Sequence, residues 1–261
     1  MRIGLIGGSG LYEIEGLETT KEVSVATPYG EPSAVYKIGT IGAKEIIFLS
    51  RHGAHHNIPP HKINYRANIW GFKHLGVERI ISVNSVGGIN KNLSPGDIVL
   101  PDQIIDLTLG ARESTFYDKD TVVHVDFTNP YCPEMGEVLI KASHAVKLPI
   151  KTSGTYVCTN GPRLETAGEI RFFSIIGADV VGMTAMPEAA LARELEICVS
   201  GISVVTNPAA GTSEEKLTVT EVIETMKKSA ERIKSLIKEA VVTIPSSRNC
   251  PCKDALKDAE L

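Results

Sequence analysis

Six short runs rich in valine and isoleucine punctuate this 261-residue chain, at Arg2–Ile6, Glu45–Ser50, Arg79–Val83, Asp97–Pro101, Val180–Met183 and Ile202–Thr206. Runs of this length suit strands covered on both faces rather than helices. Between them apolar residues recur at three- and four-residue steps over Asn64–Leu75, Thr166–Ile176 and Pro187–Glu196, the last with proline in its first turn, where no amide hydrogen is needed. The longest such pattern, Thr218–Ala240, sets Val219, Val222, Ile223, Met226, Ala230, Ile233, Leu236 and Ile237 on one face, which should close the domain. The alternation predicts an α/β fold with a central twisted mixed sheet flanked by helices. No repeat or low-complexity linker divides the chain, so residues 1–245 read as one domain. Residues 246–261 turn polar after a proline and are expected to form a poorly packed tail.

Charge narrows the partners. A net charge of −4, with lysines and arginines scattered, offers no field for a polyanion, so nucleic acid is not expected. The opening MRIGLIGGSG lacks the long apolar core of a signal peptide, and no run approaches the ~20 apolar residues of a membrane span. A cytoplasmic protein without a membrane partner is expected. Of five cysteines, Cys132, Cys158 and Cys198 read as isolated buried thiols. Cys250-Pro251-Cys252 suits a strained disulfide or two metal ligands. A four-ligand zinc site needs partners that the tail lacks, so no metal is expected.

Three segments carry chemistry. Gly4-Leu5-Ile6-Gly7-Gly8-Ser9-Gly10 follows a strand, so its amides and the Ser9 hydroxyl suit an anion. A plain strand-end turn and a dinucleotide site remain open, although the spacing is not a clean G-x-G-x-x-G and no helical pattern follows. Arg51-His52-Gly53, with His55, His56 and His61 behind it, reads as an anion site, a solvated loop or, without a nearby carboxylate or thiolate, less readily a metal site. Asn84-Ser85-Val86-Gly87-Gly88 reads as another small-residue turn at a strand end. In open α/β sheets such ends converge on the ligand crevice.

These segments resemble the trimeric purine nucleoside phosphorylases and methylthioadenosine phosphorylases. The likeness runs from Ile3 to about Ile244 and is carried by Gly7-Gly8-Ser9-Gly10, Arg51-His52-Gly53, Tyr65–Trp70, Ser94–Val99, Gly161-Pro162-Arg163, Gly177-Ala178-Asp179 and Gly182-Met183-Thr184 with Pro187-Glu188. The resemblance implies a phosphate site of Ser9, Arg51, His52, Asn84, Ser85 and Thr184, with Met183 against the ribose. It implies a homotrimer or dimer of trimers in which His124 reaches a neighbouring subunit's site. It also implies substitution at C1′ by phosphate, a co-substrate, with no cofactor and no covalent nucleophile. Thermophilic members carry disulfides with Cys-x-Cys tails, which suggests a Cys132–Cys198 bridge.

Members that cleave 6-amino nucleosides carry acids where this chain has Asn207 and Ala209. The Asn207 amide suits a 6-oxo base, and Glu165, next to Leu164, stands where 6-oxopurine enzymes accept the N1–H. A surface glutamate favoured by a helix start is the alternative. Members acting on ordinary nucleosides have a histidine where Val219 lies, followed here by Val222 and Ile223. An apolar wall there suits a methylthio group, while valines on an amphipathic helix also serve simply as core. The combination implies phosphorolysis of S-methyl-5′-thioinosine, with inosine and guanosine as alternatives, then methylthioadenosine. A hydrolytic nucleosidase or a non-catalytic binder would leave the phosphate groups unexplained.

Overall fold

The computed structural model describes residues 1–8, 18–213 and 218–260. The ten strands among the described residues form one mixed sheet. At the centre β1 (Arg2–Gly7) lies parallel between β4 (Lys44–Ser50) and β5 (Val77–Gly88), and β5 lies parallel to β10 (Cys198–Pro208). Beyond β4 come β3 (Tyr36–Ile41) and β2 (Glu18–Val23), each antiparallel to its neighbour. The short β6 (Ile98–Val99) runs antiparallel to β10. The end of β5 also pairs antiparallel with β9 (Val180–Gly182), which leads through parallel β8 (Thr155–Thr159) to β7 (Gln103–Leu107).

Strand alternation sorts the apolar runs onto two faces. Ile3, Leu5, Ile46, Phe48, Ile81 and Val83 point to a core closed by α2 (Pro133–Ala145) and α5 (Val219–Thr243), which contribute Met135, Leu139, Ile233, Leu236 and Ile237. Ile6, Ile47, Leu49 and Ile80 point the other way, to Ile69 and Phe72 of α1 (Tyr65–His74) and Leu191 and Ala192 of α4 (Ala185–Glu194). Both faces are dry, which is why these strands read as continuous apolar runs. Local signals fix the helix starts: the Asn64 side chain accepts from the Ala67 amide, and Thr166, ahead of α3 (Ala167–Ile175), and Thr218 each form a capping box with a glutamate three residues on.

Four expectations need correction. Asn84–Gly88 is not a turn: it continues β5 and pairs with β10 from Asn84–Ser203 to Gly88–Pro208, so its backbone groups serve the sheet. Ile223 is not on the inward face of α5 but 44% exposed; the buried stripe begins at Met226. The tail from residue 246 is not poorly packed. Cys250 and Cys252 enter the core, Pro251–Asp254 forms a 3-10 turn, and Ala259 O accepts from the His124 amide at 2.8 Å. The tail also does not lack co-ligands, because Cys132 and Cys198 lie beside its two cysteines. No helix among the described residues is long and apolar enough to cross a membrane.

Because Leu236 is fully enclosed between α5 and the sheet, Leu236→Ala should destabilise the fold by about 2–5 kcal/mol, read as a lower urea midpoint at unchanged slope.

Candidate active site

A cavity of about 360 Å³ opens where β1, β4, β5 and β10 end. Arg51 and His52, directly after β4, line it together with Asn84 and Ser85 of β5 and Thr184 just after β9. Leu164, Glu165, Met183, Asn207, Ala209 and Val222 also line it. Residues as far apart as Gly8 and Val222 thus meet in one place, where the parallel strands deliver their C-terminal ends to one edge of the sheet.

Arg51 is the fixed point of this cavity. Its side chain is 1% exposed and pairs with Glu188 of α4, Nε to Oε1 at 2.5 Å and Nη2 to Oε2 at 3.1 Å. Nη2 also donates to Ser82 Oγ at 2.7 Å and Nη1 to the Val83 carbonyl at 3.0 Å. Four of its five N–H groups are thereby committed, leaving one on Nη1. Burial alone would lower the guanidinium pKa, but the charge and hydrogen bonds of Glu188 outweigh it and hold the pKa raised. Gly8 makes room: a Cβ there would sit 3.0 Å from Nη1.

His52 Nδ1 lies 2.9 Å from the Ile58 carbonyl, which only accepts, so Nδ1 carries the proton and Nε2 is left as an acceptor. Burial, then the adjacent Arg51 charge, push its pKa down to about 4. The ring is neutral near pH 7 and accepts rather than donates through Nε2. Thr184 Oγ1 donates to Asn84 Oδ1 at 2.7 Å, joining two of the residues assigned to the anion.

Glu165 Oε1 accepts from Thr159 Oγ1 at 2.8 Å, which leaves Oε2 for another donor. Asn207 Oδ1 accepts from Thr206 Oγ1 at 2.9 Å, and Nδ2 donates one of its two hydrogens to the Pro208 carbonyl at 2.8 Å. One N–H of Asn207 remains. Met183 is held beneath Gly161, which has φ +64°; any Cβ there would fall 2.4 Å from the Met183 sulfur.

The phosphorylase superfamily model matches residues 2–242. The chain belongs to that family. It is 54% identical to a 6-oxopurine nucleoside phosphorylase of Pyrococcus furiosus, with 99% of this chain and 98% of the relative aligned. It is 52% identical to a probable S-methyl-5′-thioinosine phosphorylase of Thermodesulfovibrio yellowstonii, with 99% and 97% aligned. A crystallised methylthioadenosine phosphorylase of Schistosoma mansoni superimposes with a TM-score of 0.94 at 31% identity, covering 100% of this chain and 99% of that one.

Within this phosphorylase fold three expected residues stand apart. Ser9 and the side chain of Val219 lie outside the described residues. His124 is exposed and does not line the cavity of its own chain. Sequence reasoning also missed residues. Glu188 was legible only as part of a motif, with nothing marking it as the partner of Arg51. Thr159, which orients Glu165, ends a strand that the apolar pattern did not reveal. Ile58, Pro59 and Pro60 line the cavity from the histidine-rich loop.

Two measurements test this electrostatic arrangement. Glu188→Ala leaves a buried guanidinium without its carboxylate and should cost about 3–5 kcal/mol in urea unfolding. For His52, the unfolded ring takes up a proton near pH 6.5 and the folded ring only near 4. Its contribution to stability is therefore complete above about pH 6.5 and is lost as pH falls toward 4. Urea midpoints measured between pH 7 and 4 should fall less steeply for His52→Gln than for the parent.

Proposed function

We propose that this phosphorylase cleaves the glycosidic bond of a 6-oxopurine nucleoside with inorganic phosphate, and that S-methyl-5′-thioinosine is its preferred substrate. The observation that carries the reading is the placement of Arg51, His52, Asn84, Ser85 and Thr184 in the same cavity as Glu165 and Asn207, with alanine at 209. The names of the Pyrococcus and Thermodesulfovibrio relatives support it.

In this reading phosphate occupies the Arg51 side of the cavity. The free Arg51 N–H and the Asn84 amide serve as donors, the Thr184 hydroxyl fixes that amide by donating to Asn84 Oδ1, and neutral His52 accepts the O–H of monohydrogen phosphate. The C1′–N9 bond breaks, its electron pair leaves with the purine, and a phosphate oxygen forms the new bond to C1′. Phosphate charge stabilises the oxocarbenium-like sugar, and the remaining N–H of Asn207 receives the charge growing on the purine at N7. Glu165 Oε2 accepts the N1–H of a 6-oxopurine. Adenine has only a lone pair at N1, and two facing acceptors disfavour it. Phosphate is a co-substrate, and neither cofactor nor covalent nucleophile takes part.

Val222 on the cavity wall supports a methylthio group at the 5′ position. Inosine and guanosine are the second reading. His124, exposed and not lining its own cavity, fits a trimer in which it completes a neighbour's site. A cytoplasmic salvage enzyme follows from the substrates.

The test is kcat/KM for methylthioinosine, inosine, guanosine, methylthioadenosine and adenosine, each with and without phosphate. Phosphate-dependent turnover led by methylthioinosine is expected. Preference for the 6-amino substrates would overturn the base assignment, and turnover without phosphate would overturn phosphorolysis. Asn207→Asp combined with Ala209→Asp should shift the ratio of 6-amino to 6-oxo activity by about tenfold or more toward the 6-amino side.

A further inference from the structure

Away from the cavity, four cysteines from three parts of the chain meet. Cys132 stands at the N-cap of α2, Cys198 opens β10, and Cys250 and Cys252 flank Pro251 in the tail. All four are buried, and their sulfurs lie within 4.8 Å of one another. Every sulfur therefore has three sulfur neighbours. A tetrahedron of thiolates around an ion with bonds of ~2.3 Å has edges of ~3.8 Å, the scale of this cluster. A disulfide requires only one neighbour for each sulfur, whereas here both cysteines of the tail turn inward to the same point. All five cysteines are unbridged, and Cys198 and Cys250 approach to 3.3 Å.

We propose that Cys132, Cys198, Cys250 and Cys252 form a tetrathiolate site for one thiophilic divalent cation, of which zinc is the representative. Four thiols bind one M²⁺ and release four protons, so the occupied site carries a net charge of −2. The positive end of α2, at whose N-cap Cys132 lies, offsets part of that charge. All four positions around the ion are filled by protein, so the site is structural and has no opening for substrate. The ion joins the first turn of α2, the start of β10 and the C-terminal tail. Besides the ion, the tail is held by Arg79 Nη2 on the Ser247 carbonyl, Arg248 Nη1 on the Glu196 carbonyl, the Asn249 amide on Glu134 Oε1 and backbone contacts at Val123 and His124.

The experiment uses the full chain, purified under reducing conditions without chelator, with metal measured by elemental mass spectrometry and thiols by titration. About one zinc per chain is expected, released as a mercurial titrates four thiols. Replacement by cobalt(II) should give thiolate-to-cobalt charge transfer and the visible bands of tetrahedral geometry. Cys252→Ser should lower metal content at least about tenfold, while Cys158→Ser, outside the cluster, should leave it unchanged. If Cys252→Ser does not fold, metal content and the cobalt spectrum of the parent still decide. A metal-free parent overturns the site, whether all five thiols titrate or only one remains because the other four have formed two disulfides.

Discussion

The Arg51–Glu188 pair is the interaction on which the geometry of the site depends. A guanidinium buried where strands end is tolerable only with a carboxylate and carbonyls around it, and these come from different elements. Glu188 comes from α4, Ser82 and the Val83 carbonyl from β5, and the Arg51 amide donates to the Gly7 carbonyl of β1 at 2.9 Å. The pair therefore locks β1, β4, β5 and α4 at one corner. The carboxylate also keeps the guanidinium charged and fixed in place. Groups held this way need no reorganisation when charge develops at the sugar.

Two sets of polar groups line the cavity, each held differently. On the Arg51 side the donors are held by partners that water cannot easily replace. On the base side Glu165 and Asn207 each spend half of their hydrogen-bonding capacity on neighbours, Thr159 for one and Thr206 with Pro208 for the other. What remains, one acceptor oxygen and one N–H, is a directional pair. A planar base that matches the pair gains both bonds, and one that mismatches leaves a partly buried carboxylate without a donor.

Much of this was legible in the sequence because strands covered on both faces leave unbroken apolar runs, as β1, β4 and β10 do. The rest was hidden where tertiary contact outweighs local pattern. β2, with the sequence ETTKEV, carries no apolar signal and is a strand because β3 pairs with it. β5 extends to Gly88 because β10 and β9 supply partners to residues whose glycines suggested a turn. The tail looked solvated because its composition is polar, yet two buried cysteines and hydrogen bonds at Ser247, Arg248, Asn249 and Ala259 tie it to the domain. The residues that line the cavity stood in motifs, but the pairings Arg51 with Glu188 and Asn84 with Thr184 connect positions 137 and 100 apart and leave no local trace.

In the reading proposed above, the register of β10 aims base recognition. Along a regular strand Thr206 and Asn207 would face opposite sides of the sheet, and only one of them would reach the cavity. The pairing with β5 slips between Val205 and Asn207, so Val205 stands opposite Val86 and Asn207 opposite the next residue, Gly87. A bulge of this kind bends the strand and re-aims side chains, and here both Thr206 and Asn207 line the cavity. The direction of residue 207 is thus set by the backbone and not by the amide it carries. An aspartate at the same position would point at the same atom of the base while exchanging a donor for an acceptor or an acid. Discrimination between 6-oxo and 6-amino bases is in that case a property of two side chains on an unchanged frame.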